Sequence, residues 1–218
     1  MRLFGVDGIR YLVLREIPFD RDGDITFDGL VRRYNADLAN DLGNLLNRTV
    51  SMSALYLGGD LPAVRGAGAA ADQELQAAAA SAVEAYHAAM RRHQLDEALA
   101  AVMGLTGAAN GYAESQAPWV RNREGNSERV GAILAAMGET CRILGHLMAP
   151  FTPGAAAALH AQLGVPAPYD ARGNGGPGLE RLLAWGTVPG GWRTGDARPL
   201  FPRVELPAEE PDAVGSAP

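Results

Sequence analysis

The sequence predicts an all-α protein, a bundle of about five helices with an irregular C-terminal tail wrapped on it. Three observations carry this reading. The chain is 47% apolar but only 6% aromatic, and alanine is abundant, which suits packed helices better than a β-sandwich. Across most of its length apolar residues recur at steps of three and four, the period of a helix face. From Gly164 the composition shifts to glycine, proline and tryptophan, and that period is lost.

Val6 to Glu16 is a short amphipathic helix with Ile9, Leu12 and Val13 apolar and Arg10 and Arg15 outward, although its Val and Ile also suit a strand. Pro18 stops it, and Asp20 to Asp24 reads as a turn. Thr26 is an N-cap for a long helix from about Phe27 to about Tyr56, with Leu30, Tyr34, Leu38, Leu42 and Leu45 on one side. Gly58-Gly59 and Pro62 end it, and Val64 to Ala70 is small and flexible. Ala71 to His93 is the next helix, with Leu75, Val83, Tyr86 and Met90 inward and an alanine run that raises helix propensity. Another spans roughly Leu95 to Gln116, with Leu99, Val102, Met103 and Ala109 inward and Pro118-Trp119 at its exit. Asn122 to Ser127 is a polar turn. Ser127 to Leu147 keeps the helical period throughout, at Val130, Ile133, Leu134, Met137, Cys141, Leu144 and Met148. Pro150 breaks it, and Thr152-Pro153 is an N-cap and first-turn proline opening a helix to about Leu163. The irregular chain beyond is laid across the bundle by Leu182, Leu183, Trp185, Trp192, Leu200 and Phe201. From about Pro207 the composition is that of a disordered tail.

Composition excludes whole classes of chemistry. All 19 basic residues are arginine, so there is no Walker-A lysine, no Schiff-base lysine and no lysine general base. The formal net charge of -6 argues against a nonspecific nucleic-acid binder driven by counterion release, so any nucleic-acid contact is local. The single cysteine, Cys141, rules out an intrachain disulfide and sits on an apolar stripe as a small core residue. No apolar run has membrane-spanning length and Met1 to Tyr11 has no signal-peptide pattern, so a soluble cytoplasmic protein is expected. Asp20, Asp22 and Asp24 do not fit a calcium loop, because Gly23 comes too early and Val31 stands where a glutamate is needed. None of His87, His93, His146 and His160 pairs at one helical turn, so no metal is expected.

Two features leave alternatives open. Asn40, Asn44, Asn47 and Arg48 share the long helix opposite its apolar stripe. A solvated face normally carries Glu, Lys and Arg, because Asn is a poorer helix former. Asn44 and Arg48 are one turn apart. They are either a polar surface with packing hydrogen bonds or a pair that reads the edges of nucleobases. Trp119 after Pro118 is either a plug at the edge of the core or a stacking platform for an unpaired base.

Longer stretches resemble the C-terminal part of methionyl-tRNA synthetases. Gly5 to Phe19 with Asp22-Gly-Asp24 looks like the segment after that family's KMSKS loop. Arg33-Tyr-Asn-Ala-Asp-Leu-Ala-Asn-Asp-Leu-Gly-Asn-Leu-Leu-Asn-Arg48 resembles the first long helix of its anticodon-binding bundle. Gln116-Ala-Pro-Trp119, Met148-Ala-Pro-Phe-Thr-Pro153 and the stretch from Trp185-Gly to Pro199-Leu-Phe-Pro-Arg203 resemble later signatures. The resemblance covers Gly5 to about Glu205. It implies a class I synthetase anticodon-binding fold that reads the CAU anticodon of methionine tRNA. Asn44 and Arg48 match positions that contact anticodon bases, and Pro118 and Trp119 match the stacking site. It implies residues 1–24 as a stem-contact remnant, 25–165 as the anticodon-binding domain, 166–206 as a packed tail and 207–218 as disordered.

The family's HIGH-type signature and KMSKS loop are not in this sequence. The resemblance places the catalytic module, with its ATP, magnesium and methionine sites and zinc-binding insertion, upstream of Met1. The chain is therefore expected to be a fragment, with no cofactor of its own and no aminoacylation alone. Its expected partners are methionine tRNA and the catalytic module, with no membrane and no DNA. A helical scaffold of the same ancestry that no longer binds tRNA is the competing expectation. The anticodon domain of a leucine, valine or cysteine enzyme is disfavoured by the Asn44/Arg48 and Pro118-Trp119 signatures.

Overall fold

The computed structural model describes residues 3–17, 26–64, 68–166, 178–187 and 191–205. Helix α1 is Gly5–Glu16. Helix α2, Phe27–Arg33, continues into a π-helical stretch, Tyr34–Leu42, and then into α3, Gly43–Leu57. A two-residue strand β1, Asp60–Leu61, leads to α4, Ala70–Arg91, and α5, Leu95–Gln116. Then come α6, Pro118–Arg123, α7, Ser127–Met148, and α8, Pro153–Leu163. A short α9, Leu179–Leu183, and a strand β2, Trp192–Arg193, lie in the tail. The all-α expectation holds. Pro18, the turn at Asp20 to Asp24 and the tail beyond Pro207 fall outside the described residues.

The centre of the bundle is α7, buried from Val130 to Met148 at every position but Ala132. A helix buried all round needs neighbours on every side, and α3, α4, α5, α6 and α8 pack against it. Cys141 is enclosed there, and burial pushes its thiol up to about 12. Glu139 and Arg142 are buried on the same helix and pair with each other. Arg142 also donates to the Leu182 carbonyl and, at 2.9 Å, to the Ala184 carbonyl, while Gly186 N–H donates to Glu139 Oε1 at 2.7 Å. This buried pair fastens the tail to the bundle.

The long helix is not α-helical throughout. Tyr34, Leu38, Leu42, Leu46 and Val50 are all buried and stand four residues apart. In an α-helix such a series drifts by about 40° per step and soon leaves the core face. Bonds to the fifth residue back widen the turn and cancel that drift, which accounts for the π stretch at Tyr34–Leu42. The simple three-and-four count missed it because it uses one period for the whole segment.

Other expectations need correction. On α1 Leu12 is buried as expected, but Tyr11 is fully buried beside it and Val13 is exposed. Tyr11 turns inward because its hydroxyl reaches the buried Asp37 at 2.6 Å. Arg15, expected outward, lies over the same carboxylate, with Nε 3.9 Å from Asp37 Oδ2. Thr26 does cap α2, accepting from Gly29 N–H at 3.1 Å. Thr152 does not cap α8; its hydroxyl points back to the Met148 carbonyl, 3.4 Å away. The cap comes from Asp7 of α1, whose Oδ2 accepts from Ala155 N–H at 2.6 Å. Ala70 opens a helix rather than ending a loop, and Asn122 and Arg123 belong to α6 rather than to a turn. The tail is not wholly irregular, since β2 pairs antiparallel with β1, Leu61 opposite Trp192.

Candidate nucleic-acid interface

Asn44 sits in the first turn of α3 and Arg48 one turn on, so the two share a face. Asn40 and Asn44 are exposed. Asn47 is half-buried, and its Oδ1 lies 3.5 Å from the Ser51 hydroxyl. The Arg48 guanidinium lies over the Trp119 ring, 5.3 Å from its centroid, a cation–π contact. Its Nη1 donates to Glu114 Oε1 at 2.7 Å. Glu114 is largely exposed, so this surface ion pair contributes little to stability. Arg48 therefore presents donors already held against an aromatic ring.

The position of Trp119 is fixed from below. Helix α5 ends at Gln116, and Ala117 takes the left-handed conformation, φ 46°, which turns the chain into α6. A side chain there costs on the order of 1–3 kcal/mol, so the turn needs support from around it. Pro118 supplies part of that support. It is buried at the first position of α6, where a missing N–H costs nothing, and it seats Trp119 rather than offering a surface itself.

Arg129 of α7 supplies the rest. It bonds Gln116 Oε1 at 2.7 Å and both oxygens of Asp72 at 2.6 and 2.8 Å, and the Tyr112 hydroxyl donates to Asp72 at 2.5 Å. Burial alone would raise the Asp72 carboxyl, but the bonds from Arg129, Tyr112 and the Ala69 N–H hold it below its usual value. Burial and the Asp72 carboxylate push the Tyr112 hydroxyl up. The cluster ties α4, α5 and α7 together beneath the turn that carries Trp119.

Of the four residues singled out by sequence, Arg48 and Trp119 are brought into contact. Asn44 lies a turn away on the same face, and Pro118 lies beneath. Glu114 and the Tyr112–Asp72–Arg129–Gln116 cluster were missed. Their members come from separate helices, and no local spacing signals the contact. Of the histidines, His160 is held by backbone: its two ring nitrogens lie against carbonyls, of Pro166 at 2.7 Å and Arg142 at 3.0 Å. Among the described residues no group of three or more His, Cys, Asp or Glu is placed to hold a metal ion, and no helix is long and apolar enough to cross a membrane.

Known proteins match this chain in sequence and in fold. A family model described as the anticodon binding domain of methionyl tRNA ligase matches residues 61–172, and one described as class I tRNA synthetases (M) matches residues 1–50. Arg48 lies in one match and Trp119 in the other. Methionine–tRNA ligase 1 of Bacillus cereus is 35% identical over 207 residues, covering 94% of this chain and 30% of that protein. Methionine–tRNA ligase of Thermosynechococcus vestitus is 35% identical over 214 residues, covering 96% of this chain and 40% of that protein. Apo Mycobacterium tuberculosis methionyl-tRNA synthetase superposes with a TM-score of 0.80 at 31% identity, over 94% of this chain and 40% of its own. The chain thus spans 30 to 40% of the length of these curated relatives. With residues 61–172, just over half of the 218, matched by the first model and the same fold in a solved relative, the chain belongs to the family of methionyl-tRNA ligase anticodon-binding domains.

Proposed function

We propose that this chain reads the CAU anticodon of methionine tRNA with the face shared by α3 and α6. The observation that supports this most is the Arg48 guanidinium held over Trp119 with the Asn44 amide one turn away. Trp119 stacks on a splayed base, and Asn44 and Arg48 bond base edges according to their chemistry: the amide donates and accepts, the guanidinium only donates. Arg48 exchanges Glu114 for RNA on binding. In the full-length ligase this recognition serves methionyl-tRNA formation, with ATP and magnesium acting at the catalytic module and not on this chain.

The test is binding of the purified chain, at fixed salt, to an anticodon stem-loop carrying CAU and to one with a changed anticodon. A stacked base contributes about 1–3 kcal/mol, so Trp119→Ala lowers CAU affinity roughly 5- to 150-fold. Equal or absent binding by the folded wild-type chain overturns the reading and favours a scaffold role, for which the net charge of -6 is the supporting observation.

A further inference from the structure

We infer that the C-terminal tail is a positioning element for the reading face: Asn35 and Val204, acting through the π-helical stretch, set where Asn44 and Arg48 stand relative to Trp119. This rests on the proposed anticodon reading.

The π stretch is gripped at both ends by remote chain. At its start, Asn35 Nδ2 donates to the Val204 carbonyl at 2.7 Å and Val204 N–H donates to Asn35 Oδ1 at 2.9 Å. One amide thus occupies both backbone groups of a single residue, as a partner strand would. Beside it the buried Phe201 ring meets the buried Tyr34 ring edge-on, centroids 6.0 Å apart. At the far end, Asn110 Nδ2 of α5 donates to the Asp41 carbonyl at 3.1 Å. The same helix α5 ends at the turn that carries Trp119.

The register matters because α3 continues directly from the π stretch. Ordinary α bonding turns the chain further per residue than π bonding does. Relaxation of Tyr34–Leu42 to an α-helix would therefore either pull Leu38 and Leu42 from the core or rotate α3 about its axis. Rotation would carry Asn44 and Arg48 away from Trp119, which is fixed separately by Pro118 and Arg129. None of these tail bonds involves Asn44, Arg48 or Trp119; their effect is on the relative placement of the three. Asn35 and Val204 are accordingly positioning residues.

The experiment uses the full chain and three variants, Asn35→Ala, Asn35→Asp and Val204→Pro. Val204→Pro removes the N–H that donates to Asn35 and leaves the helix sequence intact, so it stands in if Asn35→Ala does not fold. Affinities for the CAU and changed stem-loops are measured with amide hydrogen exchange over residues 34–48. The preference for CAU over the changed stem-loop is expected to fall about tenfold or more in Asn35→Ala and Val204→Pro, with cooperative melting retained and faster exchange across 34–48. Asn35→Asp keeps the acceptor and is expected to lie between. A merely structural role would lower both affinities alike and leave their ratio unchanged. Wild-type preference in a folded variant, or unchanged exchange, overturns the inference. If the wild-type chain shows no preference, the anticodon reading fails by itself, and the exchange arm still decides the clamp.

Discussion

Replacing Glu139 by Gln isolates what fastens the tail. The Glu139 side chain is 1% exposed and that of Arg142 4%, so the pair is out of water. Glu139 accepts from Arg142 Nε at 2.9 Å, Arg142 Nη2 at 2.7 Å and Gly186 N–H at 2.7 Å. Glutamine keeps the size and one acceptor but turns an NH2 toward the guanidinium, leaving a buried cation without its counter-charge. Breaking a buried pair in this way costs about 3–5 kcal/mol. That is a large part of the about 5–15 kcal/mol that holds a typical domain folded. At about 2–4 °C per kcal/mol for a chain of this size, the melting midpoint drops on the order of 6–20 °C by circular dichroism. The double variant Glu139→Leu/Arg142→Met removes both charges. Its remaining cost is the loss of donors to the Leu182 and Ala184 carbonyls and of the acceptor for Gly186 N–H; Ala184 and Gly186 are exposed and Leu182 half-buried, so water replaces much of that loss. The double variant is therefore expected to melt above Glu139→Gln. A Glu139→Gln drop within about 2 °C, or a double variant that melts no higher than Glu139→Gln, refutes the dominance of the uncompensated charge.

Three further outcomes are expected from the same geometry. Arg48→Lys keeps the charge but loses the planar stack on Trp119, so CAU stem-loop affinity falls about tenfold while the salt dependence of binding is retained; an unchanged affinity by fluorescence titration refutes the stacking role. Gly164→Ala drives a methyl group into the Arg193 carbonyl oxygen at a residue with φ +76°, so thermal melting shifts down by more than the about 1–2 kcal/mol of the backbone strain alone; a wild-type melt is the contrary result. Asp72 is held below its usual value in the folded chain, so its stabilising contribution is present above the ordinary carboxylate value of about 3.9 and is lost as pH falls through the folded value. The stability gap between wild type and Asp72→Asn accordingly narrows on acidification in denaturant titrations at stepped pH, and a gap that is constant or widens contradicts the assignment.

The sequence by itself determined the helix class, the bounds of α5 and the family. Helix periods, proline stops and short motifs are local, and each is complete within a few turns of chain. It also placed Asn44 and Arg48 on one face, because one-turn spacing is a property of the helix alone. It did not contain which remote groups meet. Arg48 and Trp119 share no spacing rule, and the Glu114 that holds Arg48 lies on a third helix. Asp7 drew no attention in the sequence, because its use as the cap of α8 depends on how α1 and α8 pack. The π stretch was half legible: the four-residue repeat from Tyr34 to Val50 is in the sequence, but only burial of all five residues makes that repeat decisive. Local structure arises from short-range sterics and hydrogen bonding, which the chain carries with it. The Arg48–Trp119 contact, the Asn35–Val204 bonds and the burial of the Glu139–Arg142 pair arise from contacts between distant segments, and those exist only once the core has closed.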